Sequence, residues 1–252
     1  MMKEELLGKI EKIRDDLDDL EEMAGKEKAQ YVKHSVFMLP LNKVANMMQN
    51  GFDHIFQVGD VIVSSHTETG QIAWVVIGKD MDHDPEQPNR HTLTLQMRDV
   101  PPGFYRFDQS QPGAPWGRNA WERSSIRRWL NGDFLGGFTA EEQAAMIAVD
   151  KLTYNTSSGK VERTHDKLFL LSCTEVGFTP GEYIKEEGAA YPYFTGDESR
   201  RKVDNDGDAR CWWLRSPTPG SALYVRHVSP DGALLSDIAH NGLGAAAACV
   251  IG

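Results

Sequence analysis

The 252-residue chain is poor in cysteine, has no long apolar run and carries no excess of positive charge. Cys173, Cys211 and Cys249 are odd in number and widely spaced, with no CxxC pair and no nearby His ligand pattern, so they predict reduced, mostly buried thiols rather than a disulfide or zinc framework. No stretch reaches the ~18 apolar residues of a membrane helix, and membrane insertion is not expected. With 27 Lys+Arg against 37 Asp+Glu, a net charge of −10 argues against nucleic acid or an anionic membrane as a partner held by a global positive field; a local basic patch stays open. The N-terminus MMKEELLGKIEKIRDD is charged throughout and lacks the apolar core of a signal peptide, which predicts cytoplasmic synthesis.

What is present predicts a folded chain of one to two domains. Forty percent hydrophobic residues suffice for one sizeable core, 9% aromatics with 25% charged residues exclude an intrinsically disordered chain, and 23 Gly with 12 Pro predict a loop-rich body. Residues 1–28 are expected to form a helix. Leu6, Ile10, Ile13, Leu17 and Leu20 are spaced 4, 3, 4, 3, a narrow seam of coiled-coil type that must be buried against the body or against copies of itself; a homo-oligomer through this helix is the favoured expectation. From Val36 the pattern changes to short apolar runs between Gly, Pro, Asp and Asn. Gln71–Ile77 and His91–Met97 read as strands joined by the polar connection Asp80–Arg90. Trp121, Ser125 and Trp129 with Ile126 and Leu130 predict a helix stopped at Asn131-Gly132, and Thr139-Ala-Glu-Glu142 is a capping box opening a helix that runs through Gln143 to Val149. Lys167–Ser172 reads as a buried strand, and Thr179–Lys202 as a long excursion without periodicity. Asp204, Asp206 and Asp208 alternate around Gly207, so they are candidate calcium ligands, but Ala209 and Arg210 break the calcium-loop pattern and an acidic turn is the simpler reading.

Cys211-Trp-Trp-Leu-Arg-Ser-Pro217 is the most specific short string. Adjacent Trp residues in a strand face opposite sides, one into the core and one towards a neighbouring layer. With Trp121-(x)7-Trp129-Leu-Asn and Leu168-Phe-Leu-Leu-Ser172-x-x-Glu175, this string resembles the C-type-lectin-like domains in variable proteins of diversity-generating retroelements, on the formylglycine-generating-enzyme branch of that fold. The resemblance covers roughly residues 55 to 252. It departs from many relatives near the end, where Gly242-Leu-Gly-Ala-Ala-Ala-Ala248 stands in place of a Gly-x-Arg-Pro-Ala string. It implies an α+β, C-type lectin-like domain over residues 36–252, with a mixed, mostly antiparallel sheet, two helices and long loops. It further implies a hypervariable ligand-binding surface at about 216–252.

Mutagenesis of that kind targets adenines, and an AAY codon can become any NNY codon, which never encodes Lys, Glu, Gln, Met or Trp. These five types make up 54 of the 252 residues, so residues 216–252 should hold about eight on average composition; they hold none. A buried C-terminal strand pair would also be poor in Lys and Glu, so burial is a competing explanation. Ala222–Val228 and Ala233–Ile238 flank Ser229-Pro-Asp-Gly232 and predict a hairpin, with Leu223, Val225 and His227 on one face of its first arm and Ala222, Tyr224, Arg226 and Val228 on the other. Ala222, Val225, Val228, Gly232 and Ala239 suit the scaffold. The resemblance assigns the ligand-facing set to Thr218, Gly220, Ser221, Leu223, Tyr224, His227, Ser229, Leu235, Ser236, Asp237, Ile238, His240, Asn241 and Leu243.

Three functional classes follow. A non-enzymatic binder would present Tyr224 as aromatic anchor and Ser221, Ser236 and Asn241 as adaptable hydrogen-bonding groups towards a protein or glycan ligand on a target cell surface, consistent with a phage or prophage tail protein in the virion. A structural tail or assembly protein is the second. The third is a formylglycine-generating-type oxidase, for which Cys211 and Cys249 are the only candidates; neither has a His or basic cluster beside it apart from Arg210, and no catalytic residues and no cofactor other than the doubtful calcium are expected.

Overall fold

The computed structural model describes residues 34–182 and 184–252, and His34–Gly252 forms one compact unit. The 1–28 helix and its seam lie outside the described residues.

The chain enters through β1 (Val36–Phe37) and α1 (Leu41–Met47), which starts after Pro40 and buries Leu41, Val44 and Ala45 at helical spacing, with Met48 buried in the turn that follows. The free first-turn N–H of Leu41 donates to the buried carboxylate of Glu142 at 3.2 Å, so a distant acidic side chain serves as its cap. Strands β2 (Val61–His66), β3 (Gly70–Lys79) and β4 (Leu93–Met97) make an antiparallel meander, and the two expected strands fall within β3 and β4. Next come β5 (Tyr105–Arg106), α2 (Ser125–Trp129), α3 (Ala140–Ala145), β6 (Met146–Ile147), β7 (Val149–Asn155), β8 (Lys160–Asp166), β9 (Leu168–Phe169) and the single turn α4 (Asp197–Arg200). The chain closes with β10 (Trp212–Pro217), β11 (Tyr224–Val228), β12 (Leu234–Ile238), β13 (Gly242–Leu243) and β14 (Ala248–Ile251).

The fold is α+β with mostly antiparallel pairing and few, short helices. One sheet runs β1-β2-β3-β4-β14-β6, with β9 also on β14; in this sheet β1 pairs with β2 in parallel and the other described pairs are antiparallel. The C-terminal strand thus lies inside the largest sheet, between β4 and the β6 and β9 strands. Ala245 to Ile251 are all buried, and the alanines let the strand enter this crowded position. A second sheet, β10-β11-β12, carries the predicted hairpin, and β7-β8 and β5-β13 are two-stranded ribbons.

Three local expectations need correction. The helix at Trp121 does not stop at Asn131-Gly132: a 3-10 turn (Trp121–Arg123) leads into α2, which continues as a wider turn through Phe134. Asn131 is retained for tertiary reasons, since its carboxamide accepts from the N–H groups of Lys167 and Leu168 and donates to the Leu168 carbonyl at 2.8 Å. The Thr139 cap is present, accepting from Glu142 N at 3.3 Å, but the helix ends at Ala145 because Met146 and Ile147 pair with Ile251 and Val250 instead. In the run Lys167–Ser172 only Leu168–Phe169 forms a ladder.

The run Trp212 to Pro217 is entirely buried. Trp212 donates from Nε1 to the Arg200 carbonyl at 2.9 Å and Trp213 to the Tyr105 carbonyl at 2.7 Å, so each indole satisfies its one donor while filling the core. Arg215, with no exposed side-chain surface, donates to the carbonyls of Leu152, Leu170 and Glu187, to Thr153 Oγ1 and to the Glu175 carboxylate. Lys151 Nζ lies 3.2 Å from Glu175, 2.6 Å from Asp82 and 2.7 Å from Tyr191 Oη. Burial opposes ionisation of Asp82 and Glu175, yet the adjacent Lys151 and Arg215 hold both carboxyls below the usual range.

Glu187 differs. Burial pushes its carboxyl up to about 7 against the pull of Arg215 and the hydrogen bond from Ser216. A carboxyl raised in the folded state stabilises the fold fully below its unfolded value, near 4.5, and that contribution is lost as pH rises towards 7. Replacing Glu187 by Gln is expected to flatten the stability difference between pH 5 and pH 7.5, measured by urea denaturation. Arg215→Ala leaves Glu175 buried without its main partner and is expected to cost about 3–5 kcal/mol in the same experiment.

Candidate functional site

The C-terminal hairpin has the predicted register: Tyr224 faces Ile238, Val225 faces Asp237, Arg226 faces Ser236, His227 faces Leu235 and Val228 faces Leu234. Its turn holds because Gly232 takes φ +89° and because Ser229 Oγ donates to the Asp231 carboxylate and the Ala233 carbonyl. A Cβ at Gly232 would lie 2.2 Å from the Asp197 carbonyl oxygen, which fixes glycine there for packing reasons also.

Of the fourteen proposed ligand-facing positions, Gly220, Tyr224, Leu235 and Asn241 are exposed, and Thr218, Ser221, Leu223, Ser236, Asp237, Ile238, His240 and Leu243 are half-buried. Tyr224 is 42% and Leu235 51% exposed. His227 and Ser229 are buried and do not face solvent. The alternation had placed His227 with Val225; both point inward, and the His227 ring meets the Trp213 ring edge-on at 6.0 Å. Burial lowers the His227 pKa, which disfavours the charged form of the ring. Ser229 is consumed by the turn. Among the scaffold positions Val225, Val228, Gly232 and Ala239 are buried, as expected, whereas Ala222 is exposed. Val228 departs from alternation because β10 packs beside it, pairing Trp212 with Val228.

The polar positions are tied to one another. Thr218 and Ser236 hydroxyls lie 2.9 Å apart, Arg226 donates to Ser236 Oγ at 3.0 Å, and Asn241 donates to Asp237 at 2.7 Å. Ser221 Oγ accepts from the N–H groups of Leu223 and Tyr224, which shapes the loop leading into β11. The surface is therefore built on a rigid sheet with short polar links.

Residues outside the C-terminal segment join this face. Asn119 donates to the carbonyls of Ser221 at 2.7 Å and Tyr224 at 3.1 Å, and Ser110 Oγ lies 3.2 Å from His240 Nδ1. Ser110 also donates to the Pro115 carbonyl at 2.6 Å, next to Trp116, which is 56% exposed. At the other edge Phe104, 69% exposed, packs under Gly242, and the Arg210 guanidinium lies 5.5 Å from its ring centre. Apart from Arg210, none of these residues stood out in the sequence; the available signal was Trp116 between Pro115 and Gly117, an aromatic in a turn-rich segment without periodicity.

The acidic turn is internally satisfied. Asp204 accepts from the N–H groups of Asp206 and Asp208, each at 3.0 Å, and pairs with Arg210 at 2.5 Å. The Arg210 guanidinium also lies 3.8 Å from the Asp208 carboxylate. Among the described residues no group of three His, Cys, Asp or Glu side chains is placed to hold a metal. Cys173, Cys211 and Cys249 are free thiols, with Cys211 half-buried and the others buried. Burial raises all three thiol pKa values, Cys173 to about 12, and Asp237 and Asp231 add to the rise at Cys211. Thiolate chemistry is correspondingly disfavoured at neutral pH. No helix among the described residues is long and apolar enough to cross a membrane.

His227→Ala is expected to cost about 2 kcal/mol in chemical denaturation because it opens a hole against Trp213, while Leu235→Ala should change stability by less than about 0.5 kcal/mol.

Residues 104–251 match the model of the family described as Domain of unknown function (DUF6273). No curated protein and no solved structure matches the chain.

Proposed function

The chain belongs to the DUF6273 family, and we propose that it is a non-enzymatic binding protein whose C-terminal hairpin and flanking loops form a diversified recognition surface. In this reading the domain is a C-type-lectin-like variable domain of the retroelement-diversified kind, and Trp212 to Pro217 is its fixed internal scaffold. The ligand is a protein or glycan on a target cell surface. A phage or prophage tail setting suits this role, with copies joined through the N-terminal helix so that several weak sites act together.

One observation carries the reading: a segment that lacks five residue types also forms an exposed hairpin. Burial accounts for the missing charged types from Gly244 onward, where every residue is buried, and at eight earlier positions of the segment, among them Ser216, Val225, His227 and Val228. The other 20 positions of residues 216–243, exposed or half-buried, would still hold about four Lys, Glu, Gln, Met or Trp on average composition, and they hold none. Lys and Glu are ordinary surface residues, so exposure makes their absence harder to explain by packing. The rigid three-stranded sheet beneath suits a surface whose side chains change while its backbone does not. Tyr224 and Leu235 supply apolar area, and Ser221, Ser236 and Asn241 supply short hydrogen-bonding groups.

The reading makes a direct demand on tolerance. Randomising Tyr224, Leu235, Ser236 and Asn241 with NNY codons should leave most variants folded, with melting temperatures within about 5 °C of the parent. The same randomisation at Val225, His227 and Val228 should abolish folding in most clones. Equal loss at both sets would remove the basis for a variable surface. In the gene's surroundings, a near-copy of the 3′ end differing only at adenines, beside a reverse transcriptase, is the expected genetic signature.

A further inference from the structure

A groove of about 890 Å3 runs beside the hairpin face, lined by Arg118, Arg123, Arg127 and Arg128 and bordered by Asn119 and Ala222. Four guanidinium groups along one groove are unexpected in a chain of net charge −10. Their pairing is uneven. Arg127 is held by a bidentate bond to the buried Asp166, at 2.8 and 3.0 Å, and Arg123 lies 3.5 Å from Glu122. Arg118 and Arg128 pair with no carboxylate among the described residues.

These two are nevertheless ordered. Arg118 donates to the Gly113 carbonyl at 3.1 Å, and Arg128 donates to the Arg123 carbonyl and to Ser125 Oγ at 3.1 Å. Neutral acceptors fix the side chains without cancelling their charge, so less entropy is lost when an anion arrives. Asp108, which also lines the groove, is hydrogen-bonded on both oxygens, accepting from Arg118 N, Ser125 N, Ser125 Oγ and Gln111 Nε2. Glu122 and Glu162 are likewise engaged by Asn155 Nδ2. These neutral donors hold Asp108 and Glu162 in place without cancelling their charge, and Arg118 and Arg128 are the two guanidinium groups of the groove to which no carboxylate of the described residues is bound, so an arriving oxyanion would find its direct partners there.

We propose that this groove binds the oxyanion groups of an acidic glycan, either uronate carboxylates or sugar phosphates. Besides the arginines and the carboxylates of Asp108 and Glu122, its polar lining is amide and hydroxyl side chains such as Gln111, Asn155 and Ser157, with no aromatic ring on which a base could stack. A long phosphodiester chain would also meet the overall negative charge, whereas a glycan with spaced charges uses the local groove alone. The site does not depend on diversification of the hairpin, since all four arginines precede residue 216. Asn119, which lines the groove and also bonds the carbonyls of Ser221 and Tyr224, joins the two surfaces.

The test is calorimetric titration of the full chain with tetragalacturonate, phosphorylated maltotetraose, neutral maltotetraose and a single-stranded oligonucleotide. At least one of the two charged sugars is expected to bind tenfold or more tightly than the neutral one, with affinity falling as salt is raised. Whichever binds more tightly identifies the oxyanion. The Arg118→Gln/Arg128→Gln double variant should lose at least tenfold in affinity with an unchanged melting temperature, and the Arg118→Lys/Arg128→Lys variant should recover part of it. Three results would each overturn the proposal: no binding of either charged sugar in the millimolar range, equal binding of the neutral sugar, or tighter binding of the oligonucleotide. Undiminished binding by the glutamine variant would do so as well.

Discussion

Arg215 places a guanidinium group where no solvent reaches it, and the arrangement around it follows from the cost of leaving such a charge unanswered. Its donors reach β7, the segment after β9 and the long excursion near Glu187, three stretches far apart in the chain. Through Glu175 the pairing continues to Lys151, and through Lys151 to Asp82, Tyr191 and Thr94. The network fixes which segments lie beside β10, and the hairpin is built on β10. Replacing such a network with apolar side chains can be neutral in other proteins, so its worth here lies in the unique geometry it imposes as much as in net stability.

The same network accounts for the 179–202 excursion, which has almost no regular structure yet is held in place. Glu187 accepts from Tyr154 N at 2.7 Å and from Ser216 Oγ, while the Glu187 carbonyl accepts from Ser172 Oγ at 2.8 Å. Farther along, Arg200 donates to the Gly232 carbonyl at 3.0 Å and to the Val176 carbonyl, tying the excursion to the turn of the hairpin. Lys202, fully buried, donates to the carbonyls of Met97 and Arg98, and burial lowers its pKa to about 7. Backbone carbonyls and buried charges thus substitute for the hydrogen bonds that a regular element would have made for itself. The hairpin can then present its outer side chains without supporting the fold through them.

Much of the local structure was legible because it depends on near neighbours. Period-two alternation marked β4, the Thr139 cap marked the start of α3, and Ser229-Pro-Asp-Gly232 marked the hairpin turn. Errors arose where a distant partner outweighed the local signal. Asn131 reads as a helix stop but bonds the 167–168 backbone, Met146 and Ile147 read as helix but pair with β14, and His227 reads as a surface residue but meets Trp213 edge-on. The arginine groove was not legible either, since Arg118 lies in a loop and Arg123, Arg127 and Arg128 in a separate turn and helix.

The sequence by itself determined the character of the chain: acidic and loop-rich, with no cysteine framework, a double-tryptophan strand and a C-terminal segment lacking five residue types. Those properties are sums over composition or patterns within a few residues, so no folding is needed to read them. Only the tertiary structure decided that β14 inserts between β4 and β6, that Arg215 joins three distant stretches, and that the 104–119 loop meets the hairpin face. The physical reason is that buried charges and open sheet edges accept whichever partner satisfies them, and that partner is set by the closure of the whole chain.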